Sequence, residues 1–170
     1  MGQVRGSTKV QPPMDLILWR HAEANEGKPN EDDLARTLTL RGERHAAKMA
    51  GWLNRILPDT VRVLVSPAQC AWQTAGLLCR KVRVLDALAP GATPMQLLAA
   101  ARWPENREPV LLVGHQPSLG QLVAYLMGGV APTNGPAVAI QKGSVWWLRH
   151  RVRHGVPEVA LVSVHSPDQL

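Results

Sequence analysis

The stretch LILWRHAEAN, residues 16–25, runs four apolar residues directly into an arginine and a histidine. Such a short, continuous apolar run is typical of a strand that is buried on both faces of a parallel sheet. Arg20 and His21 stand where that strand is expected to end. They are either polar residues that end the strand or residues of a functional site, and this stretch alone leaves both interpretations open.

Two further apolar strands end in polar residues in the same way. VRVLVSP, residues 61–67, stops at Ser66-Pro67, and PVLLVGHQP, residues 109–117, stops at Gly114-His115. In open α/β sheets, ligands bind beyond the carboxyl ends of the strands. We therefore expect the three strand ends to meet at one edge of the sheet.

Helical patterns alternate with these strands. Apolar spacing predicts a helix over residues 38–57, with Thr39 as its N-cap and Pro58 ending it. The alternation predicts an α/β fold, a three-layer sandwich with a mostly parallel central sheet flanked by helices. The remaining predicted helices are 68–81, 93–101, with Thr93 as its candidate N-cap, and 118–127. The remaining strands are 82–85, 144–149 and 158–164.

The length of 170 residues fits one domain with a substantial core. We expect residues 1–13 to form a disordered tail and residues 14–170 to form a single domain. No apolar run is long enough for a membrane span, and no secretory signal is recognisable. Cys70 and Cys79 form no C-x-x-C pair, which favours a reducing compartment, so we expect a cytoplasmic protein.

The charge balance favours anionic partners. The chain has 19 Lys and Arg residues against 13 Asp and Glu residues, a net charge of +6. A phosphorylated substrate, nucleic acid or an acidic protein face would all suit this charge. The basic cluster at residues 149–154 lacks an aromatic platform or a recognition helix, so we do not expect nucleic-acid binding.

Arg-His at one strand end and Gly-His at another suit phosphoryl transfer. An imidazole can attack phosphorus and form a covalent phosphohistidine. The planar, permanently charged arginine fork matches phosphate oxygens, where negative charge spreads in the transition state. A second histidine across the phosphate can donate a further hydrogen bond.

Four segments, in chain order, carry a family resemblance: LILWRHAEA (16–24), LTLRG (38–42), VSPAQCAWQTA (65–75) and LLVGHQPSLG (111–120). Together they resemble the histidine phosphatase superfamily, which has a phosphoglycerate mutase-like fold. The R-H-A variant of the R-H-G motif and the short chain are similar to the SixA-type phosphohistidine phosphatases. The resemblance implies that His21 is the nucleophile, that Arg20 and Arg36 bind phosphate, and that His115 contacts the phosphate and stabilises the transition state.

The sequence departs from the family pattern at two places. The family motif S-P-x-x-R-A supplies a phosphate-binding arginine, and Cys70 occupies that position here. Cys70 is not expected to be a nucleophile itself, because the residue six positions later is Gly76 rather than an arginine. The glutamate that serves larger relatives as general acid is matched by Ala87, with Asp86 and Glu23 as nearby alternatives.

The resemblance implies a metal-independent phosphatase that removes phosphate from phosphohistidine in a protein, through a phosphohistidine on His21. We expect no cofactor and no metal, and a phosphorylated protein such as a histidine phosphorelay module as partner. Two alternatives remain open. The chain could be a weak or inactive relative that binds phosphorylated ligands, because Cys70 replaces an arginine, or a phosphatase of small phosphate esters.

Overall fold

A computed structural model describes residues 11–129 and 137–170, which form a six-stranded sheet with helices on both faces. The strand order is β3-β2-β4-β1-β5-β6. The strands are β1 (Met14–Arg20), β2 (Arg62–Val65), β3 (Val82–Val84), β4 (Val110–Gly114), β5 (Val145–Arg153) and β6 (Val156–His165). The helices are α1 (Leu40–Ile56), α2 (Gln69–Ala75), α3 (Pro94–Ala101) and α4 (Ser118–Gly128).

The first four strands are parallel, and the last two add an antiparallel edge. β1 and β2 both pair in parallel with β4, while β5 pairs antiparallel with β1 and with β6. Parallel pairing brings the carboxyl ends of β1, β2 and β4 to the same edge. The predicted fold class, an α/β sandwich with a mostly parallel central sheet, is confirmed.

Each face of the sheet has its own apolar core, because strand side chains alternate in direction. Leu16 and Leu18 of β1 belong to the core beneath α3 and α4, while Ile17 and Trp19 belong to the core beneath α1 and α2. All four side chains are fully buried. This double burial explains why the strand that precedes Arg20 is apolar at every position.

The predicted starts of α1 and α3 are confirmed by their caps. The Thr39 side chain accepts a hydrogen bond from the Gly42 amide, and Thr93 forms a capping box with Gln96. These bonds satisfy amides that have no partner within the helix. At Gly42, α1 packs so closely on the loop after β1 that an added Cβ would collide with the Glu23 carbonyl oxygen.

The sequence prediction was wrong about the length of α2. The helix covers only residues 69–75 and ends at Gly76, so exposed Cys79 lies outside it. Residues 76–81 instead lead into β3. The end of a helix cannot be located within an apolar run that contains glycine, because glycine is tolerated within helices but also ends them.

The last two strands are longer than predicted and form a tight hairpin. Its turn is at His154 and Gly155, which both have positive φ. Most of the basic cluster at residues 149–154 therefore lies on β5 rather than between the two predicted strands. There, Arg149 makes a bidentate pair with Asp15, and Arg151 contacts Glu158 at 2.6 Å. These pairs neutralise part of the basic cluster.

The expected N-terminal tail lies mostly outside the described residues. Residues 11–13 are exposed and have no regular secondary structure, and residues 1–10 are not described. Among the described residues, no helix combines the length and the apolar character that a membrane crossing requires.

Candidate active site

Arg20 and His21 lie where β1 meets β4 at the carboxyl edge of the sheet. The His21 amide donates to the Gly114 carbonyl oxygen at 3.1 Å, which joins the ends of the two strands. His115 follows Gly114 directly, so this bond brings the two histidines together. Their ring centroids are 5.1 Å apart, and the rings are tilted by 54°.

The hydrogen bond of His21 fixes its tautomer. Nδ1 lies 2.8 Å from the carbonyl oxygen of Ala22, which can only accept. Nδ1 therefore carries the proton, and Nε2 of the neutral ring keeps its lone pair. Burial, followed by the charge of Arg20, lowers the pKa of His21, so the neutral ring is favoured. A buried, neutral imidazole with a free Nε2 is suited to nucleophilic attack.

His115 is held by a serine from the end of β2. Its Nε2 is hydrogen-bonded to Ser66 Oγ at 2.7 Å, and the Ala68 amide donates to the same Oγ at 3.1 Å. Burial and the neighbouring His21 lower the pKa of His115 to about 4. The side chain is therefore neutral at pH 7 and can still donate through one ring N–H.

Arg20 has one firm partner and one buried donor without a partner. Its Nη1 donates to the Ile140 carbonyl oxygen at 2.6 Å. Within residues 11–129 and 137–170, buried Nε of Arg20 has no hydrogen-bond partner. The Arg20 side chain lines the cavity described below, where its guanidinium presents positive charge to a bound anion.

Arg36 reaches the same pocket from the loop before α1. Its Nε donates to the Asn25 carbonyl oxygen at 2.8 Å, and its Nη1 lies 3.6 Å from the Asp33 carboxylate. The backbone bond fixes the direction of the guanidinium. The weak, partly exposed ion pair leaves the remaining donors available.

The strand ends and loops enclose a cavity of about 140 Å³. It brings together the predicted nucleophile, the predicted phosphate-binding residues and position 70, and it adds Asp33, Gln116 and Lys142. Gln116 could have been suggested by its position next to His115, whereas Asp33 and Lys142 belong to no motif. The full lining is Arg20, His21, Ala24, Asp33, Arg36, Cys70, Pro90, His115, Gln116 and Lys142.

Cys70 lies in the wall of this cavity and is only 3% exposed. Its carbonyl oxygen accepts from Thr74 Oγ1 at 2.7 Å, which fixes the first turn of α2. Burial raises the pKa of its thiol, so the side chain is uncharged at neutral pH. Position 70 therefore contributes no positive charge to the pocket.

The acids suggested by the sequence do not line the cavity. Glu23 accepts a hydrogen bond from Thr39 Oγ1 at 2.9 Å, at the start of α1, and its contact is structural. Asp86 and Ala87 lie in a short 3₁₀ turn, and the nearby residue that reaches the cavity is Pro90. The carboxylate that does line the cavity is Asp33.

No protein-family model matches the chain, but comparison with individual proteins agrees with this architecture. The chain is 32% identical over 127 residues to the phosphohistidine phosphatase SixA of Escherichia coli, an alignment that covers 70% of this chain and 78% of SixA.

Solved structures give the same picture. A Nakamurella multipartitia protein proposed to be SixA superposes with a TM-score of 0.73 at 25% identity, covering 93% of this chain and 98% of that one. The protein histidine phosphatase SixA in complex with tungstate superposes with a TM-score of 0.67 at 26% identity, covering 91% and 98%.

The fold and these relatives together support a phosphatase of the histidine type. The chain belongs to the histidine phosphatase superfamily, and its relatives include short SixA-type phosphohistidine phosphatases.

Proposed function

We propose that this protein hydrolyses phosphohistidine in a protein substrate, with His21 as the nucleophile. The observation that carries the proposal is the buried His21–His115 pair, in which the hydrogen bond from Nδ1 to Ala22 leaves Nε2 of His21 free. In the first step, Nε2 attacks phosphorus, the phosphorus–nitrogen bond of the substrate breaks, and the leaving imidazole takes up a proton from solvent. In the second step, water attacks the phosphorus, the bond to Nε2 breaks, phosphate leaves with the hydroxyl of that water, and the remaining proton returns to solvent, which restores neutral His21.

The charges around the cavity support the binding of a phosphoryl group. Arg20, Arg36 and Lys142 line it, against the single carboxylate of Asp33. The guanidinium groups of Arg20 and Arg36 could donate to the phosphoryl oxygens. Such fixed donors stabilise the charge that develops on those oxygens in the transition state.

The acid–base groups favour a phosphoramidate over an ester. A leaving imidazole accepts a proton readily, so a strong enzyme acid is less necessary than for an alkoxide. Neither Glu23 nor Asp86 lines the cavity, and Asp33, which does, lies 3.6 Å from Nη1 of Arg36. Asp33 thus contacts Arg36, and a phosphoramidate, which needs no strong enzyme acid, suits this set of groups better than an ester does.

The size of the cavity favours a substrate whose bulk stays outside. A volume of about 140 Å³ is well below the roughly 300–1,000 Å³ of pockets that enclose small molecules. A phosphorylated side chain could enter while its protein remains at the surface. A phosphorelay module in the cytoplasm would be such a substrate, and this substrate would give the protein a role in signal transduction.

A second candidate function follows from Cys70. Without an arginine at this position, the chain could bind phosphorylated ligands and turn them over slowly or not at all. Loss of one charge-assisted contact typically costs about 2.7–4 kcal/mol in the transition state, or roughly 10²–10³ in rate.

The test compares two donors with the full-length protein in the presence of a chelator. Phosphate release is measured from a phosphohistidine-containing protein and from p-nitrophenyl phosphate. We expect kcat/KM to be at least about tenfold higher for phosphohistidine, a difference of about 1.4 kcal/mol in activation free energy. His21→Ala should abolish release, whereas His45→Ala, which changes a histidine on α1 outside the cavity, should not.

The alternative outcomes contradict the proposal in distinct ways. Binding of the phosphorylated protein with no release would indicate the inactive relative. A preference for p-nitrophenyl phosphate would indicate a phosphatase of small esters. Undiminished turnover by His21→Ala would exclude His21 as the nucleophile.

A further inference from the structure

The thiol that replaces the arginine lies beside both pocket histidines. His21, Cys70 and His115 each offer one ligand atom, and the three atoms lie within 4.8 Å of one another. All three residues are buried. Two imidazoles and a thiolate form a ligand set that zinc accepts in proteins.

The distances require only a local adjustment. Tetrahedral zinc with bonds of about 2.0–2.3 Å needs ligand atoms roughly 3.3–3.6 Å apart. The observed upper limit of 4.8 Å therefore leaves about 1.2–1.5 Å to close. A rotation of the short Cys70 side chain can supply part of this movement without a change in the backbone.

The histidines are already oriented as metal ligands usually are. In metal sites, the second ring nitrogen of a histidine ligand is typically bonded to a carbonyl, a carboxylate or water. Nδ1 of His21 donates to the Ala22 carbonyl oxygen, which leaves Nε2 free for a metal. The ring of His115 is held by Ser66. These contacts reduce the ordering needed when an ion binds.

The cationic lining opposes a divalent ion, and the charge of a bound thiolate would offset part of that opposition. Arg20, Arg36 and Lys142 repel it, whereas deprotonated Cys70 would cancel one of its two charges. Three protein ligands leave the fourth position open, as in catalytic zinc sites. The nearby cations would favour an anion, such as hydroxide, at that position.

We propose that His21, Cys70 and His115 form a three-ligand site for Zn²⁺, and that zinc bound there blocks the phosphoryl pocket. On binding, the S–H bond of Cys70 breaks, a sulfur–zinc bond forms, and the proton passes to solvent; no electron is transferred. The inhibition rests on the proposed function, because zinc would occupy the lone pair of the nucleophile. Zinc binding itself does not depend on that function.

The test is a Zn²⁺ titration of the full-length, chelator-treated protein against a chromophoric chelator, with Co²⁺ as a spectroscopic probe. We expect one Zn²⁺ per chain, and a thiolate-to-cobalt charge-transfer band in the near ultraviolet. Cys70→Ser should abolish the band and weaken zinc binding by at least about 100-fold, because even second-shell changes cost about 10–100-fold. Cys79→Ser, the matched control at the exposed cysteine, should leave both unchanged.

Two results would overturn the zinc site: equal affinity in Cys70→Ser and the parent protein, or loss of binding in Cys79→Ser. Activity is measured separately, with chelator and with a stoichiometric amount of zinc. Turnover that is retained in chelator but unaffected by bound zinc would refute the blockade and leave the phosphatase proposal intact. Zinc binding in a protein without turnover would refute only the phosphatase proposal.

Discussion

Replacing Cys70 with arginine should raise the activity of this enzyme. The thiol is uncharged and lies in the cavity wall, so Cys70→Arg would direct a guanidinium toward the phosphoryl site. One charge-assisted contact made in the transition state is worth about 2.7–4 kcal/mol. Arg20, Arg36 and Lys142 already supply positive charge, which reduces the gain. We therefore expect kcat/KM to rise by at least about tenfold, or 1.4 kcal/mol.

The substitution also has a structural cost. Cys70 packs in a small apolar cluster with Ala22, Ala24, Leu38, Ala46 and Ala68. Overfilling such a cluster typically costs about 1–3 kcal/mol. The free energy of unfolding in urea should be measured beside the kinetics, because a fall in activity could otherwise reflect unfolding.

The assay is phosphate release from a phosphohistidine-containing protein, with chelator present so that relief of metal inhibition cannot mimic the gain. Cys70→Gln is the matched control, because it adds a long side chain without a charge and should give no increase. An unchanged or lower kcat/KM in folded Cys70→Arg would refute the reasoning. It would mean that another group already fills the role of the missing arginine.

Three further predictions concern groups that support the site. Because His115 has a pKa of about 4 when folded and about 6.5 when unfolded, its stabilising contribution is complete above pH 6.5 and is lost as the pH falls toward 4. Between pH 7 and pH 5, the free energy of unfolding in urea should fall by about 2 kcal/mol less in His115→Asn than in the parent protein. Equal falls would contradict the lowered pKa of His115. Ser66→Ala removes the hydrogen-bond partner of His115. It should lower kcat/KM about tenfold and the free energy of unfolding by about 1–2 kcal/mol. Unchanged kinetics would show that Ser66 does not position the ring. Gly42→Ala should destabilise the fold by about 1–3 kcal/mol, because its Cβ would collide with the Glu23 carbonyl oxygen; a denaturation midpoint equal to that of the parent would rule out this close packing.

Much of the fold could be predicted from local patterns. The apolar runs before Arg20, Ser66 and His115 indicated strands buried on both faces, and Thr39 and Thr93 marked helix starts that the structure confirms. The end of α2 and the extent of β5 could not be predicted in the same way. The run through Gly76 and Cys79 is compatible with a helix or with a loop, and the basic residues 149–153 gave no strand signal until their acidic partners on the neighbouring strands were known.

The site was predictable where its residues stand at strand ends. Arg20, His21 and His115 meet because parallel pairing aligns β1 with β4, a consequence of fold class. Asp33 and Lys142 reach the cavity from segments without a motif, so only the tertiary structure identifies them. The proximity of Cys70 to both histidines likewise depends on the packing of α2 against the sheet.

The central claim is that His21 carries the phosphoryl group. The most direct measurement is rapid acid-free quenching of the full-length protein during turnover of a phosphohistidine donor, followed by mass spectrometry of its peptides. A phosphoryl group should appear on His21 and should be absent when His21→Ala is treated identically. Phosphorylation of His115 or Cys70 instead, or turnover by His21→Ala at the rate of the parent, would contradict the account.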